Sequence, residues 1–178
     1  MTSPAAASHA PPLGIFAGEG ELPLRVAATA RAAGREVRPV LLEGFADPAA
    51  WGGYPSLRLR FGALGSSIPW LRGEGVRELV LCGHVRRPSL LSLRPDAATA
   101  RYLARIGARA FSGDDGLLSA LRKVLTEEGF SLVGPDSVLD GLQVPPGLLG
   151  HVAPDAGHRE DVRRGVAVVQ ALGRLDVG

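Results

Sequence analysis

Lysine is nearly absent from this chain: Lys123 is the only one, and the remaining basic residues are arginines scattered along the sequence. With 18 acidic residues against 20 basic ones the formal net charge is +2, and no basic stripe stands out, so nucleic-acid binding is not indicated. Cysteine is reduced to Cys82, which excludes an internal disulfide; at the end of an apolar run it reads as a small buried hydrophobe in a reducing cytoplasm. Aromatic residues make up 5% of the chain, so the core is expected to be aliphatic. No run approaches the roughly 18 apolar residues of a membrane-spanning helix. Residues 1–12, MTSPAAASHAPP, have neither the basic start nor the apolar stretch of a signal peptide. The expectation is a cytoplasmic protein with at most peripheral membrane contact. Histidine is too sparse for a zinc site: no second His or Cys stands at ligand spacing from His84, and His9, His151 and His158 are remote from it in sequence.

What the chain holds in quantity is aliphatic and turn-forming residues: 46% hydrophobic, with 24 Gly and 14 Pro in 178 residues, which suits one α/β core and the start of a second unit. The organising stretch is 13–34, LGIFAGEGELPLRVAATARAAG. Leu13–Ala17 is apolar, as in a strand buried on both faces, and Gly18, Glu19 and Gly20 end it. A helix follows, with Pro23 in its first turn, Leu22, Val26, Ala30 and Ala33 along one face and Gly34 as its stop. In this order the glycines would let backbone N–H groups approach an anion, and the helix N-terminus adds about half a positive charge. The same glycines also serve simply to turn a strand into its helix. The dinucleotide fingerprint is incomplete, because Pro23 occupies its third glycine position.

Downstream, 36–42 (EVRPVLL) reads as a strand whose Pro39 calls for an edge position or a bulge. Glu43 stands where a dinucleotide enzyme holds its ribose-binding acid, and is equally an ordinary loop glutamate. Leu57 and Leu59 alternate with arginines in a short strand; Ser66 or Ser67 then caps a helix with Pro69 in its first turn and Ile68 and Leu71 inward. Glu78–Cys82 is the clearest strand, stopped by Gly83. Helices are expected over 95–106, through Ala98, Tyr102, Leu103 and Ile106, and over 117–128, through Leu117, Leu118, Leu121, Val124 and Leu125. A last strand covers 130–133, a Pro- and Gly-rich passage follows, and Val162, Val166 and Val169 mark a helix over 161–172.

Strands alternating with helices imply a Rossmann-like three-layer α/β domain with a mainly parallel sheet, followed by a linker and a truncated second domain. The boundaries read as a disordered tail 1–12, the Rossmann-like domain 13–134, a linker 135–157, and 158–178 as the first helix and stub of the incomplete domain. Ligands of such sheets lie beyond the carboxyl ends of the strands, where strand order reverses. If the first strand lies beside Glu78–Cys82, that crevice is lined by Gly18, Glu19, Gly20 and Glu21 on one side and by the stretch holding Arg86, Arg87 and Ser89 on the other. Arginine forks and a serine hydroxyl suit phosphate oxygens; a solvated loop pair and a cap are the plainer alternative. Asp114 and Asp115 precede a helix and read as its N-cap and a dipole partner, or as ligands of Mg²⁺ beside a phosphate.

The stretches LGIFAGEGELP, LEGFADP, GVRELVLCGHVRRPSL, GDDGLL and ALGRLDVG, in that order from Leu13 to Gly178, resemble the LpxI-type UDP-2,3-diacylglucosamine pyrophosphatases of lipid A biosynthesis. The resemblance implies a hydrolase with an N-terminal Rossmann-like domain and a C-terminal domain, the UDP-linked diacyl glucosamine lipid lying between them. It also implies metal-assisted cleavage, with Mg²⁺ or a similar divalent metal, to UMP and lipid X, and peripheral contact with the cytoplasmic face of the inner membrane. The essential aspartate it implies lies beyond Gly178, so no catalytic residue is assigned within this chain. Gly18, Glu19, Gly20, Glu21, Arg86, Arg87, Ser89, Asp114 and Asp115 are substrate-binding candidates from the crevice argument, not carried over from the family. Glu19 departs from the family pattern, standing where many relatives have glycine. The alternative is a non-catalytic nucleotide-binding module for UDP or NAD. Either way the valine stripe of the last helix favours a homo-oligomer or a covering domain.

Overall fold

The computed structural model describes residues 10–86, 95–106 and 116–175. Five strands form one sheet: β1 (Leu13–Ala17), β2 (Val37–Leu42), β3 (Leu57–Leu59), β4 (Glu78–Cys82) and β5 (Ser131–Val133), in the order β3-β2-β1-β4-β5. Every pairing is parallel. Strand order reverses between β1 and β4, whose residues run in register from Leu13 opposite Glu78 to Ala17 opposite Cys82. Around the sheet are α1 (Leu22–Ala32), α2 (Leu64–Gly73), α3 (Ala97–Ile106) and α4 (Gly116–Glu127); α5 (Ala156–Arg174) follows.

A parallel sheet covered on both faces needs apolar residues at every position of its central strand, and all five residues of β1 are buried. Alternate side chains go to opposite layers. Leu13, Ile15 and Ala17 join Val26, Ala27 and Ala30 of α1, while Phe16 joins Ile68 and Leu71 of α2 and Val124 and Leu125 of α4. Gly14, on the second face, leaves room for that layer: a Cβ there would lie 2.3 Å from Leu79 Cδ2 and 2.9 Å from Val76 Cγ1. The inner face of α1 is Pro23, Val26, Ala27 and Ala30; Ala33 lies beyond the helix end and is exposed. In α4 Leu118 of the expected stripe is exposed, while Val124 and Leu125 are buried.

Pro39 is in neither an edge strand nor a bulge: β2 is interior, Pro39 is fully buried and it sits opposite Ile15. The Leu13 N–H donates to the Glu36 carbonyl, which sets a phase in which Ile15, not Pro39, exchanges bonds across the β1–β2 ladder. The missing donor therefore faces β3, and β3 pairs only from Val40 onward. No ladder bond is lost.

Neither Ser66 nor Ser67 caps α2, which begins two residues earlier, and Pro69 sits inside it. Their hydroxyls instead donate back to the carbonyls of Ala63 and Leu64 at 2.8 and 2.7 Å. The caps come from α3: Asp96 accepts the Ser66 N–H at 3.0 Å, and Thr99 Oγ1 accepts the Gly65 N–H at 2.9 Å. Asp96 also accepts the Thr99 N–H at 2.6 Å, so one carboxylate serves two helix starts. Gly65 permits the approach, since a Cβ there would lie 2.3 Å from the Ala98 Cβ.

After β5 the chain does not leave at once. A 3-10 turn at Pro135–Ser137 leads to Leu139, which is buried against the α1 layer, with Val138 and Leu142 packed beside it. From 143 to 175 every residue is exposed. α5 starts earlier than its valines suggest because Asp155 and His158 form a reciprocal capping box. Among the described residues no helix is long and apolar enough to cross a membrane.

Burial alone would raise the Asp96 pKa, but the bonds from Thr99 and Ser66 and the Arg60 charge outweigh it and hold the carboxyl below its ordinary value. A depressed folded pKa contributes stability that is present above the unfolded value of about 3.9 and lost as the pH falls through the folded one. Asp96→Ala should therefore lower unfolding free energy by about 2 kcal/mol at pH 7, two caps being lost. Urea titrations repeated at falling pH should show the gap between wild type and variant narrowing below the ordinary aspartate range.

Candidate functional site

At the carboxyl edge, where β1 and β4 diverge, two glycine turns meet. The Gly18 N–H donates to the Cys82 carbonyl at 2.9 Å, continuing the ladder past the strands. Glu19 and His84 then exchange both backbone bonds, each at 2.8 Å, in an isolated antiparallel bridge. Both turns need glycine for the contact. A Cβ on Gly18 would lie 2.7 Å from the His84 carbonyl oxygen, and one on Gly83, whose φ is +95°, would lie 2.7 Å from the Gly18 carbonyl carbon.

The bridge changes which amides face outward. Gly18 and Glu19, the first donors a glycine turn would offer an anion, are bonded to Cys82 and His84. The N–H groups of Gly20, Glu21 and Leu22 have no acceptor among the described residues. Gly20 adopts φ +102° in open space, and Glu21 holds the N-cap position without a side-chain cap. The start of α1 thus keeps the orphan donors and partial positive charge that Asp96 and Thr99 quench at α2. Glu19 and Glu21 are exposed beside it. In a bridge with both bonds exchanged, the paired side chains project to one face, so those of Glu19 and His84 are neighbours on the rim.

The structure therefore brings Gly18, Glu19, Gly20 and Glu21 to the β1–β4 switch point, with Arg86 exposed two residues beyond His84. Arg87, Ser89, Asp114 and Asp115 lie outside the described residues. Sequence reasoning missed the bridge itself: it is a backbone contact whose only trace is a glycine after each of two adjacent strands. Among the described residues no three of His, Cys, Asp and Glu gather as metal ligands. Cys82 stands at this edge, but burial pushes its thiol up to about 12. The thiolate is the reactive form, so at pH 8 the folded protein should resist alkylation by iodoacetamide and react promptly once unfolded in urea. Equal rates in the two states would show the thiol to be open to solvent.

Residues 12–142, from just before β1 through the buried Leu139 segment, match the LpxI N-terminal domain family. The UDP-2,3-diacylglucosamine pyrophosphatase LpxI of Caulobacter vibrioides is 36% identical over 166 residues, which are 93% of this chain. The match covers 59% of that relative's own length. The uncapped helix start at the switch point of this sheet is thus a feature of a chain that belongs to the LpxI N-terminal domain family.

Proposed function

We propose that this chain is the substrate-binding part of a hydrolase of lipid A biosynthesis that cleaves the diphosphate of UDP-2,3-diacylglucosamine into UMP and 2,3-diacylglucosamine 1-phosphate. The observation that carries the reading is the uncapped start of α1 at the β1–β4 switch point in a chain of this family. Its free N–H groups, on Gly20, Glu21 and Leu22, suit phosphate oxygens, and Arg86 would add a charge-assisted contact from the neighbouring turn. Arg87, Ser89, Asp114 and Asp115 keep their proposed roles around the phosphates and sugar. Mg²⁺ enters as a counter-ion arriving with the diphosphate beside Glu19 and Glu21. The described residues do not make a metal centre of their own, and no step is derived through the metal.

The same reading places the reacting groups elsewhere in the complete protein, with a second domain closing over the lipid nucleotide at the cytoplasmic face of the inner membrane. The apolar side of α5, with Val162, Val166 and Val169 all exposed, is the surface on which that domain would rest. Hydrolysis needs water, metal and phosphorus held in one geometry, which half a cleft does not provide.

Three results are expected. The purified chain binds UDP weakly and releases negligible lipid X in the presence of Mg²⁺, and adding the remainder of a full-length relative in trans raises turnover. Tight binding of NAD with none of UDP would overturn the reading in favour of a dinucleotide module. Arg86→Ala weakens UDP-lipid binding about tenfold, the loss of one charge-assisted hydrogen bond, while changing unfolding free energy by less than about 0.5 kcal/mol. Unchanged affinity would make Arg86 a surface charge.

A further inference from the structure

Gly83 has no side chain that could react, but its backbone lies against Gly18 at the edge of the candidate site. It occupies a left-handed backbone conformation, and the space a Cβ would take is filled by the N, Cα and carbonyl carbon of Gly18 at 2.7–2.8 Å. The contact is reciprocal, since a Cβ on Gly18 would meet Gly83 and His84 backbone. Two amide bonds between Glu19 and His84 hold the turns together just beyond it. On one side of this seam are the free amides of Gly20, Glu21 and Leu22; on the other the chain runs through His84 and Val85 to Arg86. Among the described residues neither Glu19 nor His84 shows a side-chain hydrogen bond, and both are exposed; the side chain that reaches across is Val85, whose Cγ2 would lie 2.9 Å from a Cβ on Gly18. The relative placement of the amides and the arginine segment is therefore set by the close approach of the two glycines, with the Glu19–His84 bonds and the Val85 side chain beside it.

We infer that Gly83 is a positioning residue for the phosphates of a nucleoside diphosphate, setting the start of α1 against the Arg86 segment through its contact with Gly18. The inference rests on the nucleotide reading above and adds to it the residue that fixes the geometry. An alanine at 83 would have to separate the turns by several tenths of an ångström or more, because the clashing atoms are backbone and cannot rotate away. That displacement breaks the bridge and moves one set of phosphate donors relative to the other.

The experiment compares Gly83→Ala with Gly129→Ala by amide hydrogen exchange, thermal melting and calorimetric titration with UDP. Gly129 also has a positive φ, +88°, but a Cβ there meets nothing within 4 Å, so its alanine variant carries the backbone strain without the collision. The expected result is that Gly83→Ala loses tenfold or more in both UDP affinity and protection of the Glu19 and His84 amides. Gly129→Ala should melt earlier with both unchanged. Should Gly83→Ala fail to fold, His84→Pro, which deletes the N–H donated to Glu19 without adding the clashing atom, should lose tenfold or more in UDP affinity and in protection of the remaining bridge amide, that of Glu19. Unchanged UDP affinity with the bridge amides unprotected overturns the positioning role, as does an equal loss in Gly129→Ala or retained protection in Gly83→Ala. A wild-type chain with protected bridge amides and no UDP binding overturns the nucleotide reading, and the positioning role with it.

Discussion

The architecture turns on a place where two backbones approach too closely for any side chain. In a parallel sheet, the strands on either side of the order reversal send their following turns in opposite directions, which ordinarily leaves a gap between them. Here the gap is closed at its base, because Gly18 and Gly83 present no Cβ to each other and the ladder continues from Cys82 to Gly18 and on to the Glu19–His84 bridge. The buried strand β1 supplies the rigidity that makes this possible: paired on both edges and packed on both faces, it gives the turn that follows it little freedom to retreat.

Seen from its helix starts, the same fold treats two N-termini in opposite ways. That of α2 lies where water cannot reach all its amides, and Asp96 and Thr99 from α3 satisfy them, with Gly65 allowing the contact. That of α1 opens at the carboxyl edge with no side-chain cap among the described residues. Leaving a solvated start uncapped costs about 1 kcal/mol against a good cap, a modest loss for a helix whose inner face is already buried on Val26, Ala27 and Ala30. A chain that caps one buried start with two residues and leaves the other bare has kept its positive end at one location only among those two.

The sheet was legible because its signals are local. Leu13–Ala17 and Glu78–Cys82 are short apolar runs ended by glycine, and they form β1 and β4 with those bounds. Pro39 was misleading, since its fit depends on the phase of the β1–β2 ladder and on where β3 begins, and neither is written near residue 39. Ser66 and Ser67 looked like caps by type, yet the caps are Asp96 and Thr99, some thirty positions away and brought near only by tertiary packing. At the site the individual residues of the first turn could be picked out by motif; the seam that orders them could not. Its partners are a carbonyl and an amide, groups every residue carries.

The last helix follows a different logic. α5 has a good start in the Asp155–His158 box and an ion pair between Glu160 and Arg163, but such features contribute about 1 kcal/mol or less each at an exposed site. Against them stand Gly157, Gly165 and Gly173, each costing about 1 kcal/mol relative to alanine in a helix, and four β-branched valines. A helix of 19 residues with that composition is marginal in water on its own. What its sequence does favour is burial: Val162, Val166 and Val169 follow one helical stripe and Val168, Leu172 and Leu175 the next, making a broad apolar side. Two adjacent stripes suit the surface of a folded domain better than the single narrow seam of a paired coiled coil. The stability of α5 is therefore tied to whatever covers that apolar side.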